Sequence, residues 1–456
     1  MKKVSFCGIS GSGMSSLAQV LKLSGYDVRG SDRNFDLGRD LKSKTALEKL
    51  GIKILPQDGS AVSTDLDFVC ASTAVEDTIP DIKAAKEKGV AIKLRPQLLA
   101  EIFHGYKYGV AVGGTSGKTT TTAMIGFILD KVGYHPCMIN GGLLKDYENQ
   151  SGIPNIIYNQ GDICVVEADE SNGSIELYKP YISVINNISE DHKSLDELQN
   201  LFQHFADRST HTVVLNDDYE LCRLIQTDKA VSFSIKNPQA DFFAADIRPE
   251  AGGTSYVFRG KRYTLNLIGA FNVANAMAAI AACAGLGVDP LVAAQTLCRF
   301  NGTKRRLEIL GAAKNITVID DFAHNPDKVT ASVSALRQYN GRLIIIFQPH
   351  GFGPMRSLGK EIMRAFADNM GQDDILIMPE IFFVGGTVSK DISSAHLIEY
   401  IKSIGHEKSF FFATKQQAAG FAVETMREGD RIVVMGARDN SLTDLGYEIL
   451  RKAENE

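Results

Sequence analysis

YGVAVGGTSGKTTTT, residues 108–122, joins an apolar run, a glycine-rich turn, and a lysine followed by four threonines. This order is typical of a strand, a phosphate-binding loop and the first turn of a helix. Glycines let the backbone N–H groups turn toward an anion, and the helix adds the positive end of its dipole. We therefore predict a nucleotide phosphate loop in which Lys118 reaches the β and γ phosphates.

The loop departs from the usual consensus at Val112, which stands five residues before Gly117 where a glycine is expected. The shorter pattern G-T-x-G-K-T-T is complete. In this pattern the hydroxyl of Thr119 is placed to ligate Mg²⁺. The alternative is a glycine turn that carries a solvated lysine. The predicted nucleotide contacts are Gly114, Thr115, Ser116, Gly117, Lys118, Thr119 and Thr120.

Composition restricts the classes of protein that fit. The 456 residues exceed one ordinary core and predict roughly two to four domains. A formal net charge of -5 argues against binding nucleic acid by phosphate neutralisation. No apolar segment approaches the roughly twenty residues of a membrane span, and the start lacks the apolar stretch of a signal peptide. We expect a cytoplasmic protein that binds neither nucleic acid nor membrane.

The first part of the chain reads as a Rossmann-like unit. A strand at residues 3–7 precedes glycines 8, 11 and 13 and a helix, an order that can hold a phosphate on backbone N–H groups. A tight turn without a ligand is the alternative, since the spacing is G-x-x-G-x-G. Asp32 follows the second strand, where such folds meet a ribose, and residues 72–74 follow another strand end. We predict that this domain ends near residue 104.

The central part places acidic residues after an apolar strand at residues 163–166. Glu167, Asp169 and Glu170 are suited to hold Mg²⁺ through oxygen ligands, although a solvated strand end is the alternative. His192 follows the strand at residues 181–187 and is either structural or a metal or phosphate ligand. Short strands between about residues 240 and 267 predict a small antiparallel insertion or edge.

Near its end the central part contains an alanine-rich helix at residues 269–287. Asn272 and Asn275 in this helix cap it or contact a base edge. Arg305 and Arg306 lie on a boundary segment, where they pair with a phosphate or remain surface charge. Further strand and helix units follow to residue 435, so the last part reads as a second doubly wound α/β unit.

Taken together and in their order along the chain, the motifs resemble those of the Mur ligase family over essentially the whole chain. The resemblance is strongest to the alanine-adding branch of that family. The resemblance implies an α/β fold with three domains: a Rossmann-like UDP-sugar domain (1–104), a central P-loop ATPase domain (105–301) and a Rossmann-like doubly wound C-terminal domain (302–456). It rests on GISGSGMSSLA at 8–18, GGTSGKTTTTAM at 113–124, EADES at 167–171, NNISEDH at 186–192, NVANAMAA at 272–279, DDFAHNP at 320–326 and FQPH at 347–350.

The resemblance also implies an activity and site residues. ATP with Mg²⁺ would phosphorylate the carboxylate of UDP-N-acetylmuramic acid, and an amine would displace the phosphate in peptidoglycan synthesis. The implied catalytic residues are Lys118, Glu167, His192 and Arg305, and the implied metal ligands are Thr119, Glu167 and His192. Asn272 and Asn275 would lie at the adenine, Arg305 at the γ-phosphate and Asp321 at the ribose. The implied substrate contacts are Gly11, Gly13, Ser31, Asp32, Ser72, Thr73, Ala74, His324, His350 and Arg356.

Three positions depart from the family pattern: the first lies at the adenine side, and the last leaves the amino substrate open. Phe271 stands where a histidine is common, Asn325 follows His324 where paired histidines are frequent, and residues 351–354 are GFGP before Arg356. Residues 194–228 contain no lysine, which fits the alanine-adding branch. One alternative is a recycling ligase that adds a preformed peptide, and another is a nucleotide-binding sensor without activity. We expect a monomer or a homodimer.

Overall fold

The computed structural model describes residues 1–73, 76–171, 173–189, 194–250, 252–383 and 389–455. The chain divides into two compact units. The first comprises Met1–Asp246, Tyr256–Tyr263 and Asn272–Thr303, and the second comprises Ile247–Ser255, Thr264–Phe271 and Lys304–Glu456. Among the described helices, none combines the length and the hydropathy that crossing a membrane requires.

The first sheet of the first unit has five parallel strands in the order β3-β2-β1-β4-β5. The central strands β1 and β4 are buried almost throughout, because helices cover both faces of a parallel sheet. The strands are β1 (Lys3–Cys7), β2 (Asp27–Ser31), β3 (Lys53–Leu55), β4 (Phe68–Ala71) and β5 (Ile92–Leu94). The helices are α1 (Ser12–Leu23), α2 (Arg33–Asp36), α3 (Leu41–Lys49), α4 (Pro80–Glu87) and α5 (Arg95–His104).

The second sheet has ten strands in the order β15-β14-β13-β12-β11-β10-β6-β9-β7-β8. They are β6 (Tyr108–Gly113), β7 (Cys137–Ile139), β8 (Ile156–Tyr158), β9 (Ile163–Glu167), β10 (Ile182–Ile185), β11 (Thr212–Asn216), β12 (Ala230–Ser234), β13 (Phe242–Glu250), β14 (Gly253–Phe258) and β15 (Lys261–Leu265). The helices are α6 (Lys118–Lys131), α7 (Leu195–Asp207), α8 (Glu220–Arg223), α9 (Ala270–Gly285) and α10 (Pro290–Leu297). The predicted short strands after residue 240 thus form one edge of this sheet.

Buried polar side chains join the two sheets of the first unit. Gln19 on α1 donates from Nε2 to Asn155 Oδ1 at 2.9 Å, and its Oε1 accepts from the N–H of Ile153 at 2.7 Å. Both amides are almost fully buried. These contacts help to join the first predicted domain and most of the second in one unit. The predicted boundary near residue 104 falls between α5 and β6 and stays a prediction.

The second unit contains a six-stranded sheet in the order β16-β17-β21-β18-β19-β20, in which only the β16–β17 pair is antiparallel among the described pairings. The strands are β16 (Glu308–Ala313), β17 (Ile316–Asp321), β18 (Leu343–Phe347), β19 (Ile375–Pro379), β20 (Ser409–Phe412) and β21 (Arg431–Met435). The helices are α11 (Pro326–Leu336), α12 (Phe352–Asn369), α13 (Ser394–Ser403), α14 (Lys415–Thr425) and α15 (Leu442–Asn455).

The register of three central strands sets up the phosphate loop. β6 lies between β9 and β10, with Val112 opposite Glu167 and Gly113 opposite Ile185. The strands are parallel, so their carboxyl ends lie at one edge of the sheet. The loop after β6, Glu167 at the end of β9, and the asparagines after β10 therefore lie together.

Candidate active site at the phosphate loop

Two glycines give the loop its shape. Gly114 and Gly117 have φ angles of +131° and +80°, which residues with a side chain rarely adopt. A Cβ on Gly117 would also lie 2.5 Å from Asn275 Oδ1 and 2.8 Å from Asn186 Nδ2. The loop is therefore tightly packed between α9 and the end of β10, and Gly117 directly precedes α6.

Asn187 holds the loop in this conformation, a role that the sequence analysis missed. Its Oδ1 accepts from Thr115 Oγ1 at 2.7 Å and from the N–H of Ser116 at 2.8 Å, and its Nδ2 donates to the Ser116 carbonyl at 3.1 Å. Thr115 Oγ1 also lies 2.7 Å from Ser189 Oγ. This role could have been predicted from the motif NNISEDH, since an asparagine that follows a strand beside a phosphate loop can form hydrogen bonds with the loop backbone.

A second chain of polar contacts runs beneath the loop. Asn186 Nδ2 donates to Thr121 Oγ1 at 2.8 Å, and Thr121 Oγ1 donates to Asn275 Oδ1 at 3.3 Å. Asn275 Nδ2 then donates to Asn272 Oδ1 at 3.2 Å. All four side chains are buried. Asn272 and Asn275 thus lie against the loop and α6, while their predicted contact with adenine stays a prediction.

Lys118 is held by an acidic neighbour. Its Nζ lies 3.0 Å and 2.7 Å from the two carboxylate oxygens of Glu170 and 2.6 Å from the Gly114 carbonyl oxygen. The side chains of Lys118 and Glu170 are 16% and 6% exposed, so the ion pair is largely shielded from water. The sequence analysis grouped Glu170 with possible magnesium ligands and missed this pair.

Glu167 and Thr119 provide oxygen atoms suited to Mg²⁺. Thr119 Oγ1 donates to Glu167 Oε2 at 2.9 Å, and Glu167 Oε1 accepts from the N–H of Gly141 at 2.5 Å. A hydroxyl and a carboxylate in contact, next to a phosphate loop, fit a hard cation that prefers oxygen ligands. Asp169 instead accepts hydrogen bonds from Ser171 N and Oγ, at 3.1 Å and 2.8 Å.

The third predicted metal ligand, His192, lies outside the described residues. Within the described part of the chain, no group of three or more histidine, cysteine, aspartate or glutamate side chains has the arrangement of a metal site. The three carboxylates after β9 therefore do not form one cluster there. Each of them contacts a different partner.

The side chain of Asp32 holds the glycine turn after β1 through a hydrogen bond to its backbone. Asp32 accepts from the N–H of Ser10 and of Asn34, both at 2.8 Å, and caps α2. Ser31 is fully buried and donates from its hydroxyl to Asp81, so its side chain faces the core and not the turn. The side chains of Ser31 and Asp32 thus bond to other groups of the protein.

The other predicted UDP contacts occupy the same edge of the first sheet. Gly11 precedes α1 and Gly13 lies in its first turn, where a Cβ would come 3.1 Å from the Arg95 side chain. Ser72 and Thr73 directly follow β4, whereas Ala74 lies outside the described residues. Their contacts with substrate stay predictions.

In the second unit, Arg305 is held by groups of its own unit. Its guanidinium donates to Asp320 Oδ1 at 3.4 Å, to Asn440 Oδ1 at 3.2 Å and to the carbonyl oxygens of Gly436 and Ala437. Its side chain is 11% exposed. The buried carboxyl of Asp320 has a pKa raised to about 6, because burial outweighs the attraction of Arg305. These bonds use four of the five N–H donors of the guanidinium.

Arg306 and Asp321, the residues next to Arg305 and Asp320, also contact groups of the second unit. Arg306 lies over the ring of Phe322, with 4.8 Å between the guanidinium carbon and the ring centroid. Asp321 accepts from the N–H of Leu307 at 3.1 Å and from Ser332 Oγ at 2.6 Å, and burial raises the pKa of its carboxyl. The predicted ribose contact of Asp321 stays a prediction.

His324 and His350 form a ring pair near the carboxyl ends of β17 and β18. Their centroids are 5.6 Å apart, and His324 Nδ1 lies 2.9 Å from the Phe322 carbonyl oxygen. Because a carbonyl only accepts, Nδ1 carries the proton and Nε2 has the free lone pair. Burial, followed by the charge of Lys328, lowers the pKa of His324 to about 4. Burial also lowers the pKa of His350.

Arg356, the last predicted substrate contact, is the fifth residue of α12. Its guanidinium pairs with Asp391 and donates to the Ser389 carbonyl at 3.2 Å, and the side chain is 50% exposed. An exposed ion pair of this kind contributes little to stability. The carboxylate contact of Arg356 stays a prediction.

A cavity of about 620 Å³ lies away from these groups, at the amino-terminal ends of β6 and β9. Tyr108, Tyr134 and Tyr181 line it together with backbone near Gly161. The opposite edge of the sheet carries the phosphate loop, so this cavity is separate from the candidate active site.

Family models match the chain in three consecutive segments. The model of the Mur ligase family catalytic domain matches residues 3–107, that of the Mur ligase middle domain matches residues 112–283, and that of the Mur ligase glutamate ligase domain matches residues 305–438. The three predicted parts of the chain thus each match a different model of one family.

Relatives of known function match over nearly the whole length. A UDP-N-acetylmuramate–L-alanine ligase of Sulfurihydrogenibium sp. is 33% identical, with 98% of this chain and 96% of the relative covered. A ligase of the same name from Geotalea uraniireducens is 32% identical, with 100% and 99% covered.

Solved structures agree with the fold. The crystal structure of the UDP-N-acetylmuramate–alanine ligase of Thermotoga maritima has a TM-score of 0.81 at 25% identity, and all of both chains is covered. A murein peptide ligase of Psychrobacter arcticus has a TM-score of 0.68 at 22% identity, which supports the fold alone. The predicted α/β fold class is confirmed. This chain belongs to the Mur ligase family.

Proposed function

We propose that this protein is an ATP-dependent ligase that joins the lactyl carboxylate of UDP-N-acetylmuramic acid to L-alanine, in peptidoglycan precursor synthesis. One observation carries the proposal: the contacts of Lys118, Thr119 and Glu167 at a phosphate loop, in a chain 33% identical over 98% of its length to a ligase of that name. The protein would work in the cytoplasm, as a monomer or a homodimer.

The reaction has two steps. The substrate carboxylate attacks the γ-phosphorus of ATP, so an acyl phosphate forms and ADP leaves. The amine of alanine then attacks the acyl carbon, a C–N bond forms, and inorganic phosphate leaves while the nitrogen loses a proton. Both steps spread negative charge over phosphoryl oxygens, which positioned cations and N–H groups stabilise.

The residues of the first unit would supply that stabilisation. The backbone N–H groups of the loop would bind the phosphates, and the Lys118 ammonium would neutralise the charge between the β and γ positions. Thr119 and Glu167, with His192 from the family pattern, would hold Mg²⁺, which supplies positive charge to the phosphoryl oxygens. Asn187 would keep the loop in the binding conformation.

The histidine pair of the second unit supports an amine substrate. At neutral pH the His324 ring is uncharged, and its Nε2 can accept a hydrogen bond from an amine N–H. A neutral ring does not repel a positively charged amino group. Arg356 remains the proposed carboxylate contact, through two parallel hydrogen bonds.

Phosphate release tests the proposal. The full-length protein is incubated with UDP-N-acetylmuramic acid, ATP and Mg²⁺, and amino acids and short peptides are added one at a time. We expect L-alanine to stimulate release more than glycine, serine or peptides do. Stimulation by peptides alone would favour the recycling ligase, and no stimulation by any amine would favour the sensor without activity.

A further inference from the structure

The Lys118 ammonium has no N–H donor to spare. An ammonium carries three N–H donors. Among the described residues, three acceptors lie within 3.0 Å: Glu170 Oε1, Glu170 Oε2 and the Gly114 carbonyl oxygen. A nucleotide phosphate that binds Lys118 must therefore displace at least one of them.

The carboxylate is the acceptor that a phosphate would replace. Glu170 and a phosphate are both anions, so their simultaneous presence at one ammonium is opposed by repulsion, whereas the Gly114 carbonyl is neutral. The pair is shielded from water, with Glu170 only 6% exposed, so this repulsion is weakly screened. Binding thus exchanges one anion for another at Lys118.

The neighbouring carboxylates do not share this position. Glu167 accepts hydrogen bonds from Thr119 and Gly141, and Asp169 accepts from Ser171. Glu170 is therefore the carboxylate of the EADES segment that contacts the lysine.

We propose that Glu170 is a positioning residue that competes with nucleotide phosphates for Lys118 and so sets the affinity of the loop for ATP and ADP. The inference rests on the proposed function, since it assumes that the loop binds a nucleotide. In the empty loop Glu170 holds the ammonium at the loop, and in the product state it lowers the affinity for ADP. The residue would thereby speed product release.

Glu170→Gln tests the inference, because the amide keeps the size of the side chain and removes its charge. Calorimetric titration of the full-length variant with Mg²⁺-ADP, and separately with inorganic pyrophosphate, should give dissociation constants about tenfold lower than those of the wild type. The KM for ATP should fall by a similar factor. The Tm without ligand should fall, while the rise in Tm at saturating ADP should be larger than in the wild type.

Glu176→Gln is the matched control, because it removes the same charge from an exposed position six residues after Glu170. Its ADP affinity should stay within about twofold of the wild type. If Glu170→Gln leaves ADP and pyrophosphate affinity unchanged, or weakens it, the competition is excluded and Glu170 has a structural role. Should that variant not fold, Glu170→Asp retains the charge but moves it back by one methylene, and an ADP affinity equal to that of the wild type would then overturn the inference.

The outcomes also separate the two proposals. A wild-type protein that binds neither ADP nor pyrophosphate contradicts the proposed function itself. A wild-type protein that binds both, together with an unchanged Glu170→Gln variant, contradicts the inference alone.

Discussion

At the scale of single residues, the site depends on side chains that hold other groups in place. The Asn187 side chain makes three hydrogen bonds to residues 115 and 116, and none of its atoms is reactive. Glu170 has the same kind of role toward Lys118. Such residues are hard to find in a sequence, because their partners are backbone atoms and side chains that are far away along the chain.

Asn187→Ala should loosen the phosphate loop. The variant leaves the Ser116 N–H without its side-chain acceptor, at a cost of roughly 1–3 kcal/mol where this group stays buried, and the Thr115 hydroxyl keeps Ser189 as its partner. We expect ADP affinity to fall about tenfold or more by calorimetry. Asn149→Ala, at an exposed position, serves as the control. Equal affinity in both variants would show that the loop keeps its shape without Asn187.

Gly141→Ala should disturb the proposed metal site without touching the loop. Its Cβ would lie 2.9 Å from Glu167 Oε1, closer than a real contact allows, so the carboxylate must move away from Thr119. The Mg²⁺ concentration needed for half-maximal phosphate release should rise several-fold. Gly420→Ala adds the same methyl where no atom lies within 4 Å and should leave the requirement unchanged. An unchanged requirement in Gly141→Ala would argue against Glu167 as a ligand.

The depressed pKa of His324 predicts a dependence of stability on pH. The ring binds a proton more weakly in the folded protein, near a pKa of about 4, than in the unfolded chain, near about 6.5. The unfolded chain therefore takes up more protons between these values, so stability is full above about pH 6.5 and falls toward pH 4. The largest loss is about 3 kcal/mol.

His324→Gln isolates this contribution. Asp320 acts in the opposite direction, since its raised folded pKa makes stability fall as pH rises through about 4 to 6. The relevant quantity is therefore the difference in unfolding free energy between variant and wild type, measured by denaturant titration at each pH. That difference should change by up to about 3 kcal/mol between pH 7 and pH 4. A difference that is constant with pH would show that His324 does not titrate as described.

At the scale of elements, the ends of strands were easier to predict than the starts of helices. The strands predicted at residues 3–7, 163–166 and 181–187 lie within about two residues of β1, β9 and β10, since buried parallel strands have few polar positions. α6 begins at Lys118, because Gly117 ends the loop and the four threonines are tolerated in the first turns. Hydrophobic periodicity does not mark such a polar start.

Arg305 joins the end of β17 to the segment after β21, so we assign it a structural role in addition to the predicted phosphate contact. Arg305→Ala would leave the buried Asp320 without its cation, and we expect the free energy of unfolding to fall by roughly 2–4 kcal/mol. Denaturant unfolding followed by circular dichroism measures this change. Arg451→Ala, at an exposed position of α15, should change it by less than about 0.5 kcal/mol. A similarly small loss for Arg305→Ala would contradict the structural role.

At the scale of the whole molecule, the order of motifs predicted the family and the three-part α/β organisation. The division into two units was not predictable, because it depends on contacts such as that between Gln19 and Asn155, which are 136 positions apart. The same reason explains the missed partners of Lys118 and Asp320. Motifs identify the residues of a site, whereas their partners depend on the tertiary structure.

The central claim is that an acyl phosphate links ATP cleavage to amide formation. UDP-N-acetylmuramic acid labelled with ¹⁸O in its carboxylate tests this directly, because the bridging oxygen of an acyl phosphate leaves with the phosphate. With ATP, Mg²⁺ and L-alanine, mass spectrometry should find one ¹⁸O in the inorganic phosphate for each amide formed, and Lys118→Ala should form neither product. Inorganic phosphate without the label, released together with the amide, would contradict the account.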